Sequence, residues 1–283
     1  MTTRRTNDWT RFALAAAALT LATVAPAHAK RYMTPGFRAN ETRPLRVAVL
    51  PPHAEFVKQK AVVTEQMIKE CAGLEDAAAR SLPPLLTGKG YAVRGITLEE
   101  TRTDPELGEM VRRVNERYDE EWAGILRRPS QVHDGRYQAG EEATRLAARL
   151  DVDGLVLPRI QAVAVSAGKA MLTSFLSGGT YVAQGYARLD LAIVDGSSGT
   201  VEAYFFQALP ATTKSLTHKQ DKLMAKVAGR TLRKYPQHDL VLDPRGEIEP
   251  ADEDFSDEDE TKLLGELEAL LGPDDEPGVA DSY

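Results

Sequence analysis

Between positions 46 and 232 the apolar residues of this chain keep changing rhythm, and that limits the folds open to it. Short apolar runs at 46–50 (RVAVL), 91–96 (YAVRGI) and 155–157 (LVL) read as strands. Between them, apolar residues recur every three or four positions, as on one face of a helix. Val63, Met67, Leu74, Ala78, Leu82 and Leu85 form one such series, with Pro83-Pro84 expected to end or kink it. Leu107, Met110, Val111, Val114, Tyr118, Trp122 and Ile125 form a second, opened by Asp104-Pro105 as cap and first turn. Ala143, Leu146, Ala147 and Leu150 form a third. Strand–helix–strand alternation of this kind predicts an α/β domain with a mixed sheet.

The carboxyl half adds a hairpin. Residues 181–194 alternate, 195–199 (DGSSG) supply turn chemistry, and 200–209 return. Pro158 is expected at an edge or bulge of its strand. A last helix over 216–232 is basic on its outer side, through Lys219, Lys222, Lys226, Arg230 and Arg233. The predicted fold is a single three-layer α/β domain with a mixed sheet, a long β-hairpin near 181–209 and a disordered acidic carboxyl-terminal tail. The organisation reads as a signal peptide over 1–29, a linker over 30–45, the α/β domain over 46–240 and the tail over 241–283.

The amino terminus reads as an address. Arg4, Arg5 and Arg11 precede an apolar run over 12–24, and Ala27 and Ala29 stand where a signal peptidase reads small residues, with Lys30 first after the cut. The run is shorter than the about 20 residues a spanning helix needs, and no later stretch reaches that length. The expected location is therefore periplasmic or secreted, in soluble form. The only cysteine, Cys71, allows no internal disulfide. It is read as a small apolar residue of a helix rather than a reactive thiol or lipid attachment site.

The formal net charge of −7 conceals an asymmetry. From 246 to 283 there are fifteen acidic residues and one basic residue, Lys262, which leaves residues 30–245 at +5. Within the tail, Leu263, Leu264, Leu267, Leu270 and Leu271 lie on one face of a short helix over 257–271. Those leucines are the candidate partner-binding residues, docking on another protein or on the chain's own basic body. A second candidate contact is the loop bearing Met171, Leu172, Phe175 and Leu176. The four histidines outside the signal peptide lie far apart in sequence, and no nucleophile elbow or phosphate loop occurs. No catalytic, cofactor-binding or metal-binding residue is assigned, and neither nucleic acid nor a spanning segment is expected.

Residues 46–51 (RVAVLP), the helix closing at Gly90-Tyr91, residues 148–157 (ARLDVDGLVL) and residues 189–195 (LDLAIVD) followed by Ser198-Gly199 carry a resemblance. Over 46–209 the chain resembles the periplasmic α/β domains of curli-secretion-type lipoproteins and of the activator lipoproteins of penicillin-binding proteins. The amino-terminal domain of the Tol-system propeller protein is similar in style. The resemblance implies a non-catalytic domain that serves envelope assembly by binding other proteins. This chain departs from it in lacking a lipid-bearing cysteine and in adding the acidic tail. The expected function is thus an exported binding protein acting as an accessory or assembly factor of the bacterial envelope. The alternatives are an exported hydrolase with dispersed catalytic residues and a structural subunit of an envelope oligomer.

Overall fold

The computed structural model of the chain describes residues 30–60, 63–176, 185–233, 235–237, 240–242 and 248–250. Residues 1–29, read from the sequence as a signal peptide, and the acidic residues 251–283 with the five leucines lie outside them. The elements are β1 (Lys30–Met33), α1 (Pro35–Arg38), β2 (Arg46–Val49), β3 (His53–Gln59), β4 (Thr64–Gln66) and α2 (Ile68–Thr87). There follow β5 (Ala92–Gly95), α3 (Leu98–Thr103), α4 (Pro105–Arg127), α5 (Gly140–Leu150), β6 (Gly154–Val165) and α6 (Ala167–Leu176). The series closes with β7 (Tyr186–Asp195), β8 (Val201–Pro210), α7 (Thr213–His218), α8 (Gln220–Leu232) and a small ladder of β9 (Leu240–Leu242) with β10 (Ile248–Pro250).

The main sheet is mixed, in the order β1-β8-β7-β6-β2-β5, with β3 also beside β6 and β4 beside β3. β6 runs parallel to β2 and β3 and antiparallel to β7. Its apolar residues divide strictly by parity, because successive strand residues face opposite sides. Val156, Ile160, Ala162 and Ala164 join one core with Leu74, Leu82 and Leu86 of α2 and Met224, Val227 and Ala228 of α8. Leu155 and Leu157 join a second core with Val111, Val114 and Tyr118 of α4 and Leu146 and Ala147 of α5. Two cores, one on each sheet face, make the three-layer α/β architecture expected from the sequence. The β7–β8 hairpin is long, with Gly199 at φ +73° in its turn and Asp195 accepting from the Ser198 backbone N–H at 2.7 Å.

Several sequence expectations need correction. Residues 30–45 are not a bare linker: β1 pairs with β8 in register Lys30 to Phe206, and Thr34 caps α1. Two side chains hold that strap. Glu202 is buried and accepts from the hydroxyls of Thr34 and Thr42, and Phe37 packs edge-on against Tyr235. β2 ends at Val49, just before Pro51-Pro52, but a strand that the sequence reading did not place follows directly. The chain resumes as β3, whose Ala54 and Phe56 alternate into the core. Val63 is exposed ahead of β4, so the following helix begins later than its periodicity suggested. Pro83 and Pro84 lie within the last turns of α2 without ending it, and Gly88 N–H still reaches the Pro84 carbonyl at 2.9 Å. The segment carrying Met171 and Leu172 is the helix α6, not a loop. The last helix is two, α7 and α8.

Pro158 falls inside β6, opposite Leu191 of β7. Its other neighbour is interrupted at the same level, since β2 ends beside Val156 and β3 begins beside Arg159. A residue without an N–H is tolerated there because the adjacent strand is itself broken at Pro51-Pro52.

Candidate functional site

The break between β2 and β3 opens a crevice of about 540 Å³ at the carboxyl end of β2, lined by Pro51, Pro52, His53, Arg159 and the first turns of α4. β2 leads through α2 to β5 on one side, and β5 leads through α4 and α5 to β6 on the other. The crevice therefore sits where the winding reverses, the usual ligand position of open α/β sheets. Local sequence builds its rim. Thr97 and Glu100 form a reciprocal capping box that starts α3, and Asp104 accepts from Leu107 N–H at 3.0 Å to start α4. The tight α3–α4 corner needs Gly108, because a Cβ there would stand 2.3 Å from the Thr101 carbonyl oxygen.

The polar groups of the crevice hold one another. Arg159 is 1% exposed. Its Nε donates to Asp119 at 2.8 Å, its Nη2 to Asn115 Oδ1 at 3.1 Å and its Nη1 to the Pro158 carbonyl at 3.2 Å. The guanidinium also lies 5.1 Å from the Tyr118 ring centroid. Arg112 is clasped by Glu109 at 2.6 Å and Glu116 at 2.5 Å. Glu109, held by Arg112 and Arg113, has its carboxyl pushed down to about 2. Glu75 accepts from Ala54 N–H at 2.8 Å and lies 3.9 Å from His53 Nδ1, and burial pushes its pKa up. Thr101 donates its hydroxyl to Leu98 carbonyl at 2.8 Å. Leu98 is left 43% exposed at the mouth.

Behind the crevice, on the same sheet face, lies a second charge cluster that sequence reading did not single out. Asp190 is fully buried and receives Arg188 Nη2 at 2.7 Å and the hydroxyl of Tyr204. Arg188 also lies 4.3 Å from the Phe206 ring centroid. Burial, then the nearby Asp190 carboxylate, push the Tyr204 hydroxyl well above its usual pKa, so it serves as a neutral donor. The available signal was the Arg188-Leu189-Asp190 spacing, which puts both charges on one strand face.

Cys71 lies half-buried on α2 against the first core, and burial raises its pKa, the opposite of a nucleophilic thiol. Among the described residues no cluster of three or more His, Cys, Asp or Glu is placed to hold a metal ion. Among them, too, no helix is long and apolar enough to cross a membrane. Met171 and Leu172 of α6 are 74% and 42% exposed, while the side chains of Phe175 and Leu176 fall outside the described residues. They lie at the end of β6 away from Gly154, apart from the β2 end of the sheet.

The fold is that of a three-layer α/β sandwich with a mixed sheet. No protein-family profile matches the chain, and no curated protein sequence matches it. Among solved structures, the PelC dodecamer from Paraburkholderia phytofirmans is similar at 12% identity, over 72% of this chain and 96% of that one, with a TM-score of 0.32. Lipoprotein GNA1162 from Neisseria meningitidis is similar at 11% identity, over 60% and 84%, with a TM-score of 0.26. Likenesses this distant support no argument about function.

Proposed function

We propose that the chain is an exported, non-catalytic binding protein of the bacterial envelope, an accessory or assembly factor that recognises another envelope protein through the crevice at the end of β2. The observation that carries this reading is the engaged state of the crevice's chemistry. Its arginines are committed to carboxylates, and its threonine hydroxyl is committed to a backbone carbonyl. Catalysis of hydrolysis needs a nucleophile beside a base that is itself oriented by a third group. A rim of fixed, mutually neutralised charges around the exposed Leu98 suits recognition instead. The signal segment supplies the compartment, and the leucines of the tail supply a second contact, tethered to the same body.

The test is photo-crosslinking in the periplasm from a reactive amino acid placed at Leu98, with and without residues 246–283. A discrete protein adduct from Leu98 is expected, weakened by tail deletion. Absence of any adduct from Leu98, together with turnover of an ester or peptide substrate that depends on crevice residues, favours the hydrolase.

A further inference from the structure

We propose that the end of the molecule formed by the β3–β4 turn and α6 docks on an anionic phospholipid surface. Two segments distant in sequence meet there. β3 and β6 run parallel and finish level, with Gln59 beside Val165. Ser166 N–H donates to the Gln59 carbonyl at 2.9 Å, and Lys169 Nζ donates to Gln59 Oε1 at 2.6 Å. Lys60 N–H closes the neighbouring turn onto the Val63 carbonyl at 2.8 Å. Three large apolar side chains at this end point outward: Val63 is 61% exposed, Met171 74% and Leu172 42%.

The charge pattern selects the occupant. The chain has 42 acidic residues, yet positions 56–64 and 166–187 contain none and carry three lysines, Lys58, Lys60 and Lys169. The adjacent carboxylate, Glu65, pairs with Lys60 at 2.7 Å. An apolar tip with lysines beside it is the composition of interfacial membrane segments, whereas lysine is depleted from protein–protein interfaces. Size argues the same way. A stable protein interface buries about 800 Å² on each side, more than a few tip side chains supply. Shallow insertion of about 5–10 Å into a headgroup layer asks for no more than such a tip.

The experiment is co-sedimentation of the exported chain with vesicles of phosphatidylglycerol and phosphatidylcholine, and with vesicles of phosphatidylcholine alone. Binding to the anionic vesicles is expected, falling as salt rises. The double substitution Met171→Ser/Leu172→Ser should lower the partition coefficient at least tenfold. Val63→Ser, from the other segment, should lower it independently. Lys58→Gln/Lys60→Gln/Lys169→Gln should cost about fivefold per lysine. Val63, Met171, Leu172 and Lys60 are exposed and Lys58 and Lys169 half-buried, so each variant is certified by an unchanged melting curve before its binding is read. Equal binding to both vesicle types, or wild-type binding by the Met171/Leu172 and Val63 variants, overturns the proposal. So does a discrete protein adduct from a photoreactive residue at Met171 in the absence of any vesicle binding.

Discussion

Asp190 has no access to solvent and is held by Arg188 and by the hydroxyl of Tyr204. Removing one partner of such a pair strands the other in a low dielectric. Asp190→Ala should therefore destabilise the fold by about 3–5 kcal/mol in urea unfolding. Replacing Arg188 and Asp190 together by leucine should recover most of that loss, because no orphan charge remains. Glu109 gives a prediction in pH. Arg112 and Arg113 lower its pKa in the folded chain to about 2, below the ordinary value of 4.5. Its contribution is full above about 4.5 and disappears as pH falls through about 2. Urea midpoints measured across that window should fall more steeply for the natural chain than for Glu109→Gln.

At the scale of elements, the α3–α4 corner depends on the bare Cα of Gly108. Gly108→Ala should force the two helices apart and cost about 1–3 kcal/mol, read as a lowered melting temperature. The amino-terminal strap can be tested through Phe37, which is buried in the first core. Phe37→Ala should cost about 3–5 kcal/mol, whereas an unstructured linker would lose nothing. These elements also show what could be read from sequence. α4 was legible because its Asp104-Pro105 start and its apolar spacing agree, and α5 because the spacing of Ala143, Leu146, Ala147 and Leu150 by itself gives a buried face. β3 was hidden because it directly follows Pro51-Pro52, two residues without an N–H to donate; the interruption they make lies beside Pro158 of continuous β6, so each side tolerates the other's prolines. β1 was hidden because it is short and finds its partner in distant β8. The crevice shared that fate: its position follows from the winding of the sheet, and Arg159 meets Asp119 only through tertiary packing.

At the scale of the whole molecule, the roles proposed for three regions are separable. The crevice lies at the carboxyl end of β2, the apolar tip at the far end of β3 and β6, and the acidic tail follows the small β9–β10 ladder. Substituting Leu98 with Glu should abolish protein crosslinking at the crevice while vesicle binding persists. The Met171/Leu172 variant should do the reverse, and a single periplasmic preparation assayed both ways separates them. Deletion of 246–283 should leave vesicle sedimentation intact, or raise it slightly by removing negative charge.

The pairing of β1 with β8 carries a consequence for the order of events in the cell. Synthesis proceeds from the amino end, so β1 is among the first pieces made, while Phe206, which faces Lys30, is among the last of the sheet. One edge strand of the sheet thus waits for nearly the whole domain before it can be laid down. Contacts so distant along the chain form slowly. Until β8 is in place β1 has no strand to pair with, so the leading end is ordered late. Locking of that end is then a late signal that the rest of the domain has been made and folded.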